Sequence, residues 1–292
     1  MFVATLVAEA LSAGEMSVAA DRLASSGCAP AGWRWLDQGR AADLDFAHDP
    51  GAARAGLEGA FAATDVIVQP VAGREKKLLV ADMDSTMITV ECIDELADYA
   101  GIKAQIAEVT ERAMRGELDF AEALDARVAL LEGLEEGAID RCLAERVRLM
   151  PGAEALVKTM RTRGALTVLV SGGFTRFAEP VGERIGFERM IANRLLIENA
   201  MLMGKVAKPI VDSSTKEASL LGAAAERGLD LADTLAVGDG ANDLAMIRKA
   251  GLGVAYHAKP IVAAAAGARV DHGDLTALLY AQGISRAEWV LT

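Results

Sequence analysis

The chain has 292 residues, 52% of them hydrophobic and 25% charged, which supplies a sizeable core and excludes an intrinsically disordered chain. A formal net charge of -12 argues against nucleic acid or an anionic membrane surface as the main partner. Three widely spaced cysteines, Cys28, Cys92 and Cys142, form neither a disulfide framework nor a zinc pattern, so a reducing cytoplasm is the expected setting. From the start of the chain, Glu9 and Glu15 interrupt the first apolar stretch, which argues against a signal peptide, and no apolar run reaches membrane-span length. Residues 2–7 predict a strand, 17–25 a short helix, 32–36 and 43–46 weaker strands, 52–60 a helix and 65–69 a strand. This β-α-β-β-α-β order fits a split ferredoxin-like unit. Residues 70–77, with Pro70, Gly73 and four charged side chains, have linker composition. We therefore expect a small α+β domain over residues 1–73, with a ligand-binding or dimer-forming role left open.

From Leu78 onward, short apolar strands alternate with polar turns and helices. Strands are expected at 78–81, 165–170, 234–237 and 253–255, giving an α/β domain with a mainly parallel sheet over residues 74–292. Between the first two lies a stretch of helical periodicity, about 94–149, with no strand signal. An insertion there would sit over the carboxyl ends of the strands, where open α/β sheets bind ligands.

Each strand end carries chemistry-bearing residues. Asp82-Met83-Asp84-Ser85-Thr86 follows the first strand, and two carboxylates so placed can both approach one cation, Asp82 by its side chain and Asp84 by its backbone carbonyl. An aspartate is also a competent nucleophile toward phosphorus once a cation such as Mg²⁺ offsets the repulsion. Taken alone, the same residues would serve as an Asx turn or a helix cap. Gly238-Asp239-Gly240-Ala241-Asn242-Asp243 is a second acidic turn, whose carboxylates combined with the first call for a hard divalent cation. Ser171-Gly172-Gly173 offers a hydroxyl and backbone N–H groups suited to phosphate, or simply a tight connection. Ser214 and Glu217 predict a capping box, which puts Lys216 in a first helical turn, where a cation opposes the helix dipole and calls for an anion.

In this order the four segments resemble the haloacid-dehalogenase superfamily of phosphohydrolases, and over roughly residues 76–285 they are most similar to its phosphoserine-hydrolysing members. The further matches are Glu91 and, within the insertion, the stretch from Glu108 to Gly116 followed by Asp119-Phe120 and Arg127-Val128. The resemblance implies a Rossmann-like core, a helical cap, Mg²⁺, and hydrolysis of O-phospho-L-serine through an aspartyl-phosphate, the last step of serine biosynthesis. It implies Asp82 as nucleophile, Asp84 as proton donor and then base, and Asp82, Asp84 and Asp239 around the metal. Ser171, Gly172 and Lys216 would stabilise the phosphoryl group, and Asn242 and Asp243 would orient the shell. Glu91 would pair with the substrate ammonium, Arg127 with its carboxylate, and Phe120 would shut out water. Two rival expectations remain at this stage: a related phosphatase or phosphotransferase acting on another small phosphate ester, and a serine-sensing protein with a vestigial core.

Overall fold

The computed structural model describes residues 1–115 and 117–291. The chain begins β1 (Phe2–Ala8), α1 (Ala13–Ser25), β2 (Pro30–Asp37), β3 (Ala41–Phe46), α2 (Pro50–Leu57) and β4 (Thr64–Pro70). Both helices start earlier than their apolar spacing suggests, because caps set their starts. The Ser12 hydroxyl accepts from the Glu15 N–H while Glu15 accepts from the Ser12 N–H, and Asp49 followed by Pro50 opens α2. The four strands pair antiparallel in the order β2-β3-β1-β4, that of a split ferredoxin-like sheet. One face, carrying Leu6, Leu44 and Val66, packs on Met16, Leu23 and Leu57 of the two helices.

The chain continues through β5 (Leu78–Ala81) into four helices, α3 (Cys92–Tyr99), α4 (Lys103–Met114), α5 (Phe120–Ala129) and α6 (Gly137–Arg146). Then come α7 (Ala153–Thr162), β6 (Leu166–Phe174), α8 (Thr175–Ile185), β7 (Arg189–Asn193), β8 (Leu195–Glu198) and β9 (Met201–Val206). The last part comprises α9 (Ser213–Glu226), β10 (Thr234–Gly238), α10 (Leu244–Lys249), β11 (Leu252–Tyr256), α11 (Pro260–Ala265), β12 (Ala268–Val270) and α12 (Ala277–Ala281). Six strands form one parallel sheet in the order β12-β11-β10-β5-β6-β7. All four residues of β5 are fully buried, as a strand covered on both faces must be.

Two features go beyond the sequence expectation. The edge strands β7 and β12 are short and mixed in polarity, so they leave little apolar signal. The β8–β9 hairpin packs against the inserted helices: the Gly133 N–H donates to the Leu202 carbonyl and the Glu136 N–H to the Ala200 carbonyl, each at 2.8 Å. The insertion is therefore backed by a β-element from much later in the chain. Among the described residues no helix is long and apolar enough to cross a membrane.

The segment expected as a linker is pinned. Arg74, nine-tenths buried, donates through Nη1 and Nη2 to both oxygens of Asp43 at 2.7 and 2.9 Å, and to the carbonyls of Tyr280 and Ala281 at the end of α12. Thr5 donates to the same Asp43, while Gln69 reaches the Ala281 carbonyl. On the same side Asp65 accepts the N–H groups of Asp271, His272 and Gly273. One face of the first sheet is thus docked on the second unit through a buried polar network rather than left to solvent. Asp43 also accepts from Arg34 at 2.8 Å, so removing Asp43 strands a buried guanidinium, at about 3–5 kcal/mol, whereas removing Arg74 leaves the carboxylate a second cation. Asp43→Ala should lower unfolding free energy by about 3–5 kcal/mol in urea titrations, and Arg74→Ala by less, since Arg34 and Thr5 still serve Asp43. The double variant should lose far less than the sum.

Candidate active site

The strands β10, β5 and β6 are neighbours, so the turns at their carboxyl ends converge at one place. Asp82 leaves β5 with its N–H bonded to the Val237 carbonyl of β10, which fixes the turn against the second acidic turn. Its Oδ1 accepts from the Met83 N–H at 2.7 Å and lies 2.6 Å from the Lys216 ammonium. Among the described residues its Oδ2 has no hydrogen bond. One carboxylate oxygen is held and the other is left to react or ligate.

Lys216 is fully buried between Asp82 and Asp243, whose Oδ1 lies 2.7 Å away. Burial opposes its charge, but the two carboxylates more than offset this and hold the ammonium protonated. The helix that carries it is capped differently from expectation. Asp212 is the N-cap, accepting from the Thr215 N–H, and Ser214 bonds to Asp212 instead of forming a box with Glu217. Aspartate and serine cap about equally well, and here the Asp212 carboxylate takes the Thr215 N–H, so the cap lies two residues earlier. Asp243 is committed on both oxygens, Oδ1 to Lys216 and Oδ2 to the Gly240 N–H at 3.0 Å. Only glycine fits at 238, because a Cβ there would lie 2.3 Å from the Asp243 carboxyl carbon.

Asp84 accepts the Cys92 N–H at 3.1 Å and is pushed up to about 8 by burial, then by the Glu91 and Asp82 carboxylates. At neutral pH it is therefore held in its protonated form. Between them Ser85 adopts a left-handed φ of 54°, a strained conformation for a non-glycine residue at roughly 1–3 kcal/mol. Its hydroxyl donates to Glu91 at 2.7 Å. The enclosing walls, with the Asp82 and Asp94 carboxylates, push the Glu91 carboxyl up despite that bond.

At the end of β6, Val170 pairs with Ile191 and Phe174 with Asn193, so three residues, Ser171 to Gly173, lie opposite one. This bulge turns the segment out of the ladder toward Asp82 and Asp84. Ser171 is buried and its hydroxyl accepts the Gly173 N–H at 2.8 Å. A Cβ on Gly173 would meet Asp84 Oδ2 at 2.9 Å, while one on Gly172 would lie 3.2 Å from the Phe120 ring. Phe120, the first residue of α5 and 37% exposed, therefore sits over the glycine turn.

These parts enclose a cavity of about 660 Å³, the size of a small-molecule site. Asp82, Asp84, Glu91, Phe120, Arg127, Gly172, Asp239 and Asn242 all line it. Arg127 is half-buried, with its Nε donating to the Ala123 carbonyl and its charge facing Asp94, Glu91 and Asp84. Gly116, at the end of the helical signature, lies outside the described residues. Three residues were not singled out from sequence. Thr86 donates to Asp239 at 3.2 Å, Asn193 bonds to Gly172, and Lys259 lines the cavity mouth. Thr86 was within a motif already noted, whereas single residues such as Asn193 and Lys259 leave no pattern. Among the described residues no histidine lines the cavity, and His257 instead meets the Gly273 carbonyl.

Carboxylate oxygens of Asp82, Asp239 and Asp243 lie within 4.8 Å of one another. Burial and the Asp82 and Glu91 carboxylates push Asp239 up to about 6. One ammonium serves two of these carboxylates and leaves Asp239 with only a hydroxyl partner, so an all-oxygen set with excess negative charge fits a hard metal cation.

The family model of haloacid dehalogenase-like hydrolases matches residues 79–248. Phosphoserine phosphatase SerB2 of Mycobacterium tuberculosis is 44% identical over 226 residues, covering 77% of this chain and 55% of that protein. The chain thus spans about half the length of that relative and of the similarly matched one from Streptomyces coelicolor. A solved structure described as a phospho-aspartyl intermediate analogue of phosphoserine phosphatase superposes with a TM-score of 0.65 at 37% identity, covering 70% of this chain and 98% of that one. A probable phosphoserine phosphatase from Vibrio cholerae, in unliganded form, gives 0.80 at 32% identity over 98% of this chain and 88% of that one.

A cation held by this acidic set stabilises the folded state. Adding a hard divalent cation to metal-stripped protein should raise the unfolding free energy by about 2.7 kcal/mol at a hundredfold excess over its Kd. Thermal melts with and without the cation check this, and Asp239→Asn should remove most of the shift.

Proposed function

The chain belongs to the haloacid dehalogenase-like hydrolase family, and on that premise we propose that it hydrolyses O-phospho-L-serine to L-serine and phosphate, with Asp82 as the nucleophile. The observation that carries this reading is one cavity that unites Asp82 with Glu91 and Arg127. Phosphoserine has a phosphate, an ammonium and a carboxylate; the last two find an opposite charge there, and a metal cation on the acidic set would supply one for the phosphate. Arg127 offers a planar fork to the carboxylate, and Glu91 pairs with the ammonium.

In the first step the free oxygen of Asp82 attacks phosphorus and the bond to the serine oxygen breaks, with Asp84 giving that oxygen its proton. In the second, Asp84, now a carboxylate, takes a proton from water as that water attacks the phosphorus of the aspartyl-phosphate. Phosphate leaves and Asp82 is regenerated. The raised carboxyl of Asp84 suits the first role, since it keeps the proton available at neutral pH. Lys216, the Ser171 hydroxyl and the Gly172 N–H stabilise charge on the transferring group. Mg²⁺, held by the Asp82 and Asp239 carboxylates and the Asp84 carbonyl, would neutralise phosphate charge against the attacking carboxylate. Asn242 and Asp243 keep that shell oriented.

In this reading the helices from about residue 94 to 149 act as a cap, with Phe120 excluding water from the phosphate turn. Residues 1–73 form an accessory unit outside the reacting centre. Three buried free thiols fit a reducing, cytoplasmic setting.

Purified protein should release phosphate from phosphoserine only with Mg²⁺, and Asp82→Asn should lower turnover by several orders of magnitude without unfolding. Arg127→Ala should lower kcat/KM for phosphoserine on the order of a hundredfold, with a much smaller loss for phosphoethanolamine, which lacks the carboxylate. Equal losses on the two esters would remove Arg127 from its assigned place. Faster turnover of another small phosphate ester would reassign the substrate.

A further inference from the structure

The bulge that delivers Ser171 to Gly173 to the site creates a structural debt, because it takes the Gly172 carbonyl out of the sheet ladder. That carbonyl is met by a side chain, as Asn193 Nδ2 donates to it at 2.8 Å. The other end of the same amide, Oδ1, accepts the Val211 N–H at 2.8 Å. Asn193 is 2% exposed and stands at the end of β7 opposite Phe174, the residue at which pairing resumes after the bulge. Val211 immediately precedes Asp212, the cap of the helix that carries Lys216. One buried amide thus spans the phosphate turn and the entry to the lysine helix, and both of its bonds satisfy backbone groups that no strand partner meets.

We propose that Asn193 is a positioning residue, which fixes the Gly172 backbone and the Lys216 helix at one separation so that both act on the same phosphoryl group. It touches neither substrate nor reacting atoms. Its amide presents a donor to a carbonyl at one end and an acceptor to an N–H at the other, which neither a carboxylate nor a hydrocarbon side chain can do. Aspartate keeps the acceptor for Val211 but turns an oxygen toward the Gly172 carbonyl, so it breaks the turn-side bond alone. This inference rests on the proposed phosphoryl transfer, though not on which ester is the substrate.

The test measures kcat, KM and melting temperature for the Asn193→Ala and Asn193→Asp variants, each with Mg²⁺ present and well below the melting range. Arg74→Ala, which weakens the fold at a residue that does not line the cavity, serves as the stability control. Both phosphoserine and p-nitrophenyl phosphate are used as substrates. Displacing a phosphate-binding group by a fraction of an ångström should lower kcat on the order of a hundredfold on both esters. Asn193→Asp should fall as far as Asn193→Ala, whereas Arg74→Ala should keep its kcat despite a lower melting temperature. A kcat within twofold of wild type in either Asn193 variant overturns the proposal, as does a loss that merely follows melting temperature across all three variants. If wild-type protein turns over only p-nitrophenyl phosphate, the phosphoserine reading fails and Asn193 is still judged on that ester.

Discussion

The site is organised around one fully buried ammonium. Lys216 has no access to water, so its charge is tolerable only while the carboxylates of Asp82 and Asp243 stay within hydrogen-bond reach. That requirement ties together three elements distant in sequence: the turn after β5, the turn after β10 and the first turn of α9. It also divides the labour of the acids. Asp243 spends both oxygens on Lys216 and the Gly240 N–H, while Asp82 spends one and keeps the other. The free oxygen of Asp82 and the poorly compensated Asp239 are what remain for a metal and a phosphate. In the proposed reaction a structural ion pair and a nucleophile are two oxygens of one side chain.

The rest of the fold serves this arrangement. The parallel sheet places β10, β5 and β6 side by side, so their carboxyl ends face one space. Small side chains then let the turns close on each other, since a Cβ at Gly238 or Gly173 would collide with the acids they support. Over that floor the inserted helices bring Phe120 and Arg127, and the β8–β9 hairpin braces them from behind. The first sheet is fastened to the second unit through Arg74, Asp43 and Asp65, none of which lines the cavity.

The polar turns were legible in the sequence because each joins an apolar run to residues that only chemistry or a cap would place there. Asp82, Asp84, Asp239 and Lys216 stood out for that reason, as did the parallel α/β class. What escaped was set by tertiary contact rather than by pattern. The edge strands β7 and β12 are short and partly polar, and the apolar runs of the hairpin, Leu195 to Ile197 and Met201 to Met203, are too short to tell strand from helix by periodicity. The cap of α9 is not legible in the sequence because Asp212 and Ser214 are both good N-cap residues, and only the geometry shows which one binds the Thr215 N–H. Residues 70–77 have linker composition, yet Arg74 is buried by partners two hundred residues away that no local reading could supply. Asn193 is the sharpest case, since its role depends on a bulge in a neighbouring strand.

The central claim is that Asp82 carries the phosphoryl group between the two steps. Its most direct test is rapid acid quench of the protein turning over phosphoserine with Mg²⁺, followed by mass spectrometry of its peptides. The account predicts a phosphoryl group on the peptide containing Asp82, formed and lost at rates that match turnover, and absent from Asp82→Asn. A phosphoryl group on the Ser171 or Ser85 hydroxyl instead, or normal turnover by Asp82→Asn, would contradict it.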